Sequence, residues 1–193
     1  MILVIDTSSA CSALALIQPG GAVVAEEIDA SGPGFVLPAR FRALVGGQTL
    51  TQVAVAVGPG SFTGLRVGVS FGLGLAIGLG IPIIPLPSLE LQAARSDEPV
   101  IAVTEAGRGR VYHLARGFEP GLAEPGDLPR NLPVVGWLRP ATEAALTAVG
   151  LNLKPESELR SFGAGARLRL ETAFEVPYGS LKLEYMQAFS TRA

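Results

Sequence analysis

Residues 51–85 read TQVAVAVGPGSFTGLRVGVSFGLGLAIGLGIPIIP, and this stretch decides the fold. Gln52 to Val57 is a continuous apolar run, the pattern of a strand covered on both faces in a parallel pairing. GPGSFTGLR, Gly58 to Arg66, follows at once. Gly58, Gly60 and Gly64 give the backbone freedom that a sharp turn from strand into helix requires. Ser61 or Thr63 can cap that helix by accepting bonds from its free amides. From Val67 to Ile84 there is no charge. Gly80 and Pro82 end the helix, and Ile81 to Leu86 starts a new strand. A helix apolar on nearly every side needs cover all round. Its own sheet supplies one side, and on the other the pattern favours a second protein over the chain's own C-terminal half.

Before this stretch, Ile2 to Ile5 is an apolar strand ending at Asp6. Ser12 to Ile17 and Ala22 to Ile28 are two more strands, joined by turns at DTSSAC and Pro19-Gly20-Gly21. Three strands on short turns predict an antiparallel meander. Ser31 to Gly34 reads as a loop, and Leu37 to Val45 as a short helix that tolerates Pro38 in its first turn. Ser88 is placed to cap a further short helix, LELQAA. A meander followed by parallel crossovers (βββαβαβ) fits an α/β fold with a ribonuclease-H-like sheet.

The second half is less sharply written. Val100 to Thr104 and Arg110 to Arg116 predict a hairpin around Glu105 to Gly109. Four prolines from Pro120 to Pro133 predict loops. Val134 to Trp137 reads as a strand, Thr142 to Val149 as a helix, and Glu156 to Glu171 as a helix weakened by Gly163 and Gly165. The charged patch from Arg95 to Pro99 marks a boundary between residues 1–95 and 96–193. No internal sequence repeat is present.

Composition narrows the classes. At 193 residues the chain can bury roughly 70% of its unfolded surface and needs no staple. Net charge is −2, and the positive charge is scattered Arg with only Lys154 and Lys182 as lysines, which argues against binding nucleic acid through bulk charge. Cys11 is the only cysteine, so no intrachain disulfide or cysteine-built metal site forms. MILVIDTSS lacks the basic start of a signal peptide, and the expected compartment is the cytoplasm. The apolar helix approaches the roughly 20 residues of a membrane span, but its punctuation leaves about four turns, and no membrane is expected.

Chemistry-bearing residues are few. GPGSFTGLR has the wrong spacing for either common phosphate loop, so a structural turn is favoured over an anion site. Asp6 is placed either to hold a metal or to form a turn with Thr7, Ser8 and Ser9, and the turn is favoured. His113, the sole histidine, reads as a strand residue. Glu105, Arg108 and Arg110 read as a solvated hairpin tip. The helix Leu37 to Val45 offers Leu37, Phe41 and Leu44. The later helix offers Gly64, Gly68 and Gly72 as a flat strip for close helix approach, flanked by Leu65, Val69 and Leu75. These nine residues are the candidate partner-binding set; the candidate catalytic, cofactor and metal sets are empty.

ILVIDTSSACSALAL at residues 2–16, VAVGPGSFTGLRVGVSFGLGLAIGLGIPIIPLPSLE at residues 55–90, and EAGRGRVY at Glu105 to Tyr112 together resemble the bacterial TsaB (YeaZ) family. The resemblance covers most of the first half in order. It implies the actin-like ATPase fold of Hsp70 and sugar kinases, in two lobes. It implies a non-catalytic subunit that pairs with a TsaD-type catalytic paralogue and a TsaE-type ATPase, or with its own copy. The product would be threonylcarbamoyladenosine beside the anticodon, with tRNA met through the complex and no cofactor bound by this chain alone. Departures occur too. Gly34-Phe35-Val36 stands where family members often have a His-Ser pair, and Glu105-Ala106-Gly107 stands where Asp-Ala-Arg is usual. The enzyme paralogue's HxxxH motif has no counterpart. The alternative is an ATP-using phosphotransferase of the same fold with Asp6 on the metal. A peptidase ranks last, because Cys11 and His113 lie far apart in sequence without a supporting motif.

Overall fold

The computed structural model describes residues 1–30, 36–115 and 117–184. Gly34 and Phe35, the expected loop at 31–34 and the end of the predicted strand at Arg116 lie outside the described residues.

The meander forms as the turn signals predict, with β1 (Ile2–Asp6), β2 (Ser12–Ile17) and β3 (Val23–Asp29) antiparallel. α1 (Leu37–Val45) leads to β4 (Gln52–Gly58), which pairs parallel with β1. α2 (Phe62–Leu79) crosses over to β5 (Ile83–Pro87), parallel to β4. The first sheet therefore runs β3-β2-β1-β4-β5. After α3 (Ser88–Ala93) come β6 (Ile101–Gly107), β7 (Arg110–Ala115), β8 (Gly121–Ala123) and β9 (Val134–Val135), then α4 (Pro140–Ala148) and α5 (Phe162–Leu170). The second sheet runs β8-β7-β6-β9, with β6–β7 and β7–β8 antiparallel and β6–β9 parallel. That order and those senses repeat β3-β2-β1-β4, so the topology is duplicated although the sequence is not.

Period-2 alternation splits the first sheet's side chains between two cores. Leu3, Ile5, Leu14, Leu16, Val53 and Val55 face α1 and α2. Val4, Ala13, Ala15, Ala54 and Ala56 face Leu91, Trp137, Phe162 and Ala166 on the other side. α5 and residues 176–184 return to the first sheet: Ala166 packs beneath β2, and Val176 bridges Ile83 of β5. Late segments of the chain thus build part of the first sheet's core.

Several local expectations change. Ser88 does not cap α3: its Oγ accepts a bond from Gly58 N of β4 at 3.1 Å, tying strand to helix across the sheet end. The predicted helix Glu156–Glu171 is a 3-10 turn at Glu156–Glu158 followed by α5, whose start is capped by Ser161 Oγ accepting from Ala164 N. The proline-broken region contains the strand β8, held to β7. Arg95, read as part of a charged boundary, is 2% exposed. Its guanidinium donates to Gln92 Oε1, Arg160 O and Glu156, and it stacks 4.7 Å from the Trp137 ring centroid.

Candidate partner interface

The GPGSFTGLR turn is built against the Asp6–Ser9 loop. Ser61 N donates to Ser8 O at 2.7 Å, and Thr7 Oγ1 donates to Gly64 O at 2.7 Å. Ser61 caps α2, its Oγ accepting from Gly64 N. A Cβ at Gly60 would lie 2.2 Å from Ser8 O, and one at Gly64 would lie 1.9 Å from Thr7 O. The first turn of α2 is therefore packed directly on the main chain of the loop after β1, as a tight strand-to-helix turn requires.

Asp6 is fully buried, and its Oδ1 accepts from Ser8 N at 2.8 Å and Ser8 Oγ at 2.6 Å. This is the turn role expected of it. Oδ2 has no hydrogen-bond partner among the described residues, and burial pushes the carboxyl up, opposed only in part by the Ser8 bonds and the Arg95 charge. No cluster of three metal-ligating side chains occurs among the described residues. The Cys11 thiol is pushed up to about 11 by burial, away from the thiolate form a nucleophile needs. His113 sits on β7, as expected, with Gly121 of β8 packed on its ring. Glu105 is not a solvated tip residue. Its Oε1 accepts from Arg139 N at 2.9 Å and Thr142 Oγ1 at 2.8 Å, capping α4.

The two lobes are stitched at this junction. Ala10 N donates to Trp137 O at 3.3 Å, and Thr104 Oγ1 donates to Pro59 O at 3.2 Å.

α1 and α2 lie side by side on the first sheet, with Phe41 and Phe71 edge-to-face at 5.4 Å. Leu37 is buried; Phe41 and Leu44 are partly buried against the same core. The glycine strip points the opposite way from the sequence-based expectation. A Cβ at Gly68 would lie 2.3 Å from Thr7 Oγ1, and one at Gly72 2.3 Å from Val55 Cγ1. Gly64, Gly68 and Gly72 let α2 sink onto its own sheet, and Leu65 and Val69 are buried beside them. No foreign helix can approach there. Leu75 is partly buried on the flank.

The face left to a partner is a second row of small residues. Ser70, Gly74 and Gly78, four apart, are exposed, and among the described residues nothing stands within 4 Å of a Cβ added at Gly74 or Gly78. Val67, 50% exposed, and Ile77, 54% exposed, flank that row, and Phe62 (43%) and Leu79 (54%) are exposed at the two ends of the helix. These residues were missed because glycine marks both rows. The signal that separates them is polarity: Thr63, Arg66 and Ser70, the helix's polar residues, are all on the outer face. Only 28% of α2 is buried, although by length and composition it could cross a membrane.

Comparison with known proteins adds three findings. A family profile described as "TsaD: tRNA N6-adenosine threonylcarbamoyltransferase" matches residues 42–120. The tRNA threonylcarbamoyladenosine biosynthesis protein TsaB of Bacillus subtilis (strain 168) is 34% identical over 147 residues, 71% of this chain. The chain belongs to the TsaB/YeaZ family. The matched region spans 64% of that TsaB relative's own length. YeaZ from Pseudomonas aeruginosa superposes with a TM-score of 0.69 at 21% identity, covering 96% of this chain and 99% of that one. A Pseudomonas aeruginosa protein titled as similar to peptidase YeaZ gives 0.70 at 20%, with the same coverage. At these identities the structures establish the YeaZ-like, actin-like fold of two mixed sheets that the sequence predicted.

Proposed function

We propose that this TsaB/YeaZ family chain is a non-catalytic subunit in tRNA threonylcarbamoyladenosine formation. It docks on a TsaD-type catalytic paralogue and works with a TsaE-type ATPase in the cytoplasm, meeting tRNA through the complex. The supporting observation is the outer face of α2, where Val67 and Ile77 flank the open row Ser70–Gly74–Gly78, with Phe62 and Leu79 exposed at the helix ends. Apolar exposure of that extent on one helix marks a docking surface, and small residues at a spacing of four let another backbone come close. Arg66 and Ser70 in the middle of the face suit a protein partner better than lipid. A second copy of this chain is the competing occupant of the same face.

The test is titration of the paralogue with the wild-type chain and with Ile77→Glu or Gly74→Arg. Both substitutions lie where side chains meet open space, so the fold stays intact. Affinity falls at least tenfold, about 1.4 kcal/mol or more. Unchanged affinity for both variants rejects the surface.

The same reading holds that the chain binds no nucleotide by itself. The Ser61 N–Ser8 O and Gly64 N–Ser61 Oγ bonds, which use two amides at the start of α2, and the Asp6–Ser8 turn support it, against a phosphotransferase with Asp6 on a metal. Calorimetry of the isolated chain with ATP and Mg²⁺ decides between them: heat of binding sinks the non-catalytic reading.

A further inference from the structure

α2 is not held evenly along its length. Its first three turns are seated on the sheet through Gly64, Gly68 and Gly72, and Phe71 is braced by Phe41 of α1. Beyond Ala76 the helix runs clear of this support, and Ile77, Gly78, Leu79 and Gly80 are all exposed. The last turn carries Ile77 and Leu79, two of the helix's four exposed large apolar residues, yet the sheet does not hold it.

Residues 176–184 supply the missing support. Val176 N donates to Ile83 O at 3.0 Å, starting the segment on β5. The Tyr178 hydroxyl then lies 3.1 Å from Ala76 O and 2.9 Å from Ile81 O, at the end of α2. Ala76 O also accepts from Gly80 N and Ile81 N. The phenol therefore adds a side-chain donor to a helix end that Gly80 N and Ile81 N close from the backbone, and ties it to Ile81 O beyond the helix. Leu181 and Leu183 pack into the core that α1 and α2 share, and Glu184 N donates to Val57 O at 2.8 Å. The segment is pinned at both ends and along its middle.

We propose that residues 176–184 form a brace that fixes the last turn of α2 for docking, with Tyr178 as the positioning residue for Ile77 and Leu79. This rests on the partner surface proposed above and adds its means of presentation. The phenol ring, itself 36% exposed at the same end of the helix, forms part of the surface that the partner meets.

The test uses the full chain with Tyr178→Phe, which keeps the ring and removes the donor. Leu181, Leu183 and the Val176 and Glu184 backbone bonds keep the segment in place. In the isolated variant, amide hydrogen exchange at Gly80 and Ile81 speeds up at least fivefold relative to amides of β1 and β4. Affinity for the TsaD-type paralogue falls three- to tenfold, mainly through faster dissociation. Unchanged exchange, or faster exchange with unchanged affinity, overturns the brace. Ile77→Glu, run beside it, separates the two ideas. If Ile77→Glu weakens pairing and Tyr178→Phe does not, the brace alone fails. If neither does, the docking surface fails and the brace with it.

Discussion

Gly68 of α2 and Thr7 of the β1 loop are in such close approach that a single methyl on Gly68 would come within 2.3 Å of the Thr7 hydroxyl oxygen. The same hydroxyl donates to Gly64 O one turn earlier. This contact orients α2: it seats one row of small residues on the sheet and turns the other row, with its apolar neighbours, outward.

The two rows should respond oppositely to the same substitution. Gly68→Ala overpacks the helix–sheet seam and destabilises the chain by about 1–3 kcal/mol. Gly74→Ala meets open space on an exposed helix face and stabilises it by about 0.5–1 kcal/mol. Urea unfolding of both variants measures the difference, and equal effects would contradict the assigned facing of α2.

Asp6 makes stability depend on pH in a stated direction. Its carboxyl is raised above the ordinary 3.8 by burial, so the native chain holds that proton more tightly than the unfolded chain does. Stability is greatest below the unfolded value and falls as pH rises from there through the raised native value. The facing groups, Ser8 and Arg95, act against the shift without reversing it. Glu184, raised by burial and by the Glu90 charge, adds a slope of the same sign above 4.5. Asp6→Asn removes its share, and melting temperatures recorded across this range fall less steeply in the variant.

Arg95 is buried while its partner Glu156 is 58% exposed. Removing the exposed partner leaves a buried guanidinium short of an acceptor, though water reaches part of the site. Glu156→Gln is expected to destabilise by about 1–2 kcal/mol, below the range for fully buried pairs. Arg95→Ala also loses the Trp137 stacking and the bonds to Gln92 and Arg160, and is expected to lose about 3 kcal/mol or more. Thermal denaturation ranks the two, and the reverse order would overturn this account of the junction.

Glu105→Ala removes the acceptor for Arg139 N and Thr142 Oγ1 at the start of α4. A lost helix cap of this kind destabilises by about 1 kcal/mol. Glu105→Gln keeps an acceptor oxygen and recovers most of that loss. Chemical denaturation of the pair separates capping from charge.

The elements of the first lobe were legible because their periods are clean. The meander, the buried β4 and the glycine turn all stand where the sequence places them. The orientation of α2 was not, because Gly64–Gly68–Gly72 and Ser70–Gly74–Gly78 carry the same small-residue spacing. Deciding between them needs Thr7, from the loop after β1, and Val55, from β4. Glu105 and Arg95 were misread for a related reason: their partners, Thr142 and Glu156, are 37 and 61 residues away in the chain. The duplicated strand order was hidden because topology can recur where side chains have diverged. β8 was hidden by the prolines around it, since three residues paired only with β7 leave little pattern to read.

The stitches at Ala10–Trp137 and Thr104–Pro59 have a thermodynamic corollary. In a two-lobed molecule free to hinge, association would also have to freeze the angle between the halves. Here those two bonds, together with Trp137 packed into the core beneath the first sheet, restrict that angle within the folded chain, which lowers the ordering cost of association.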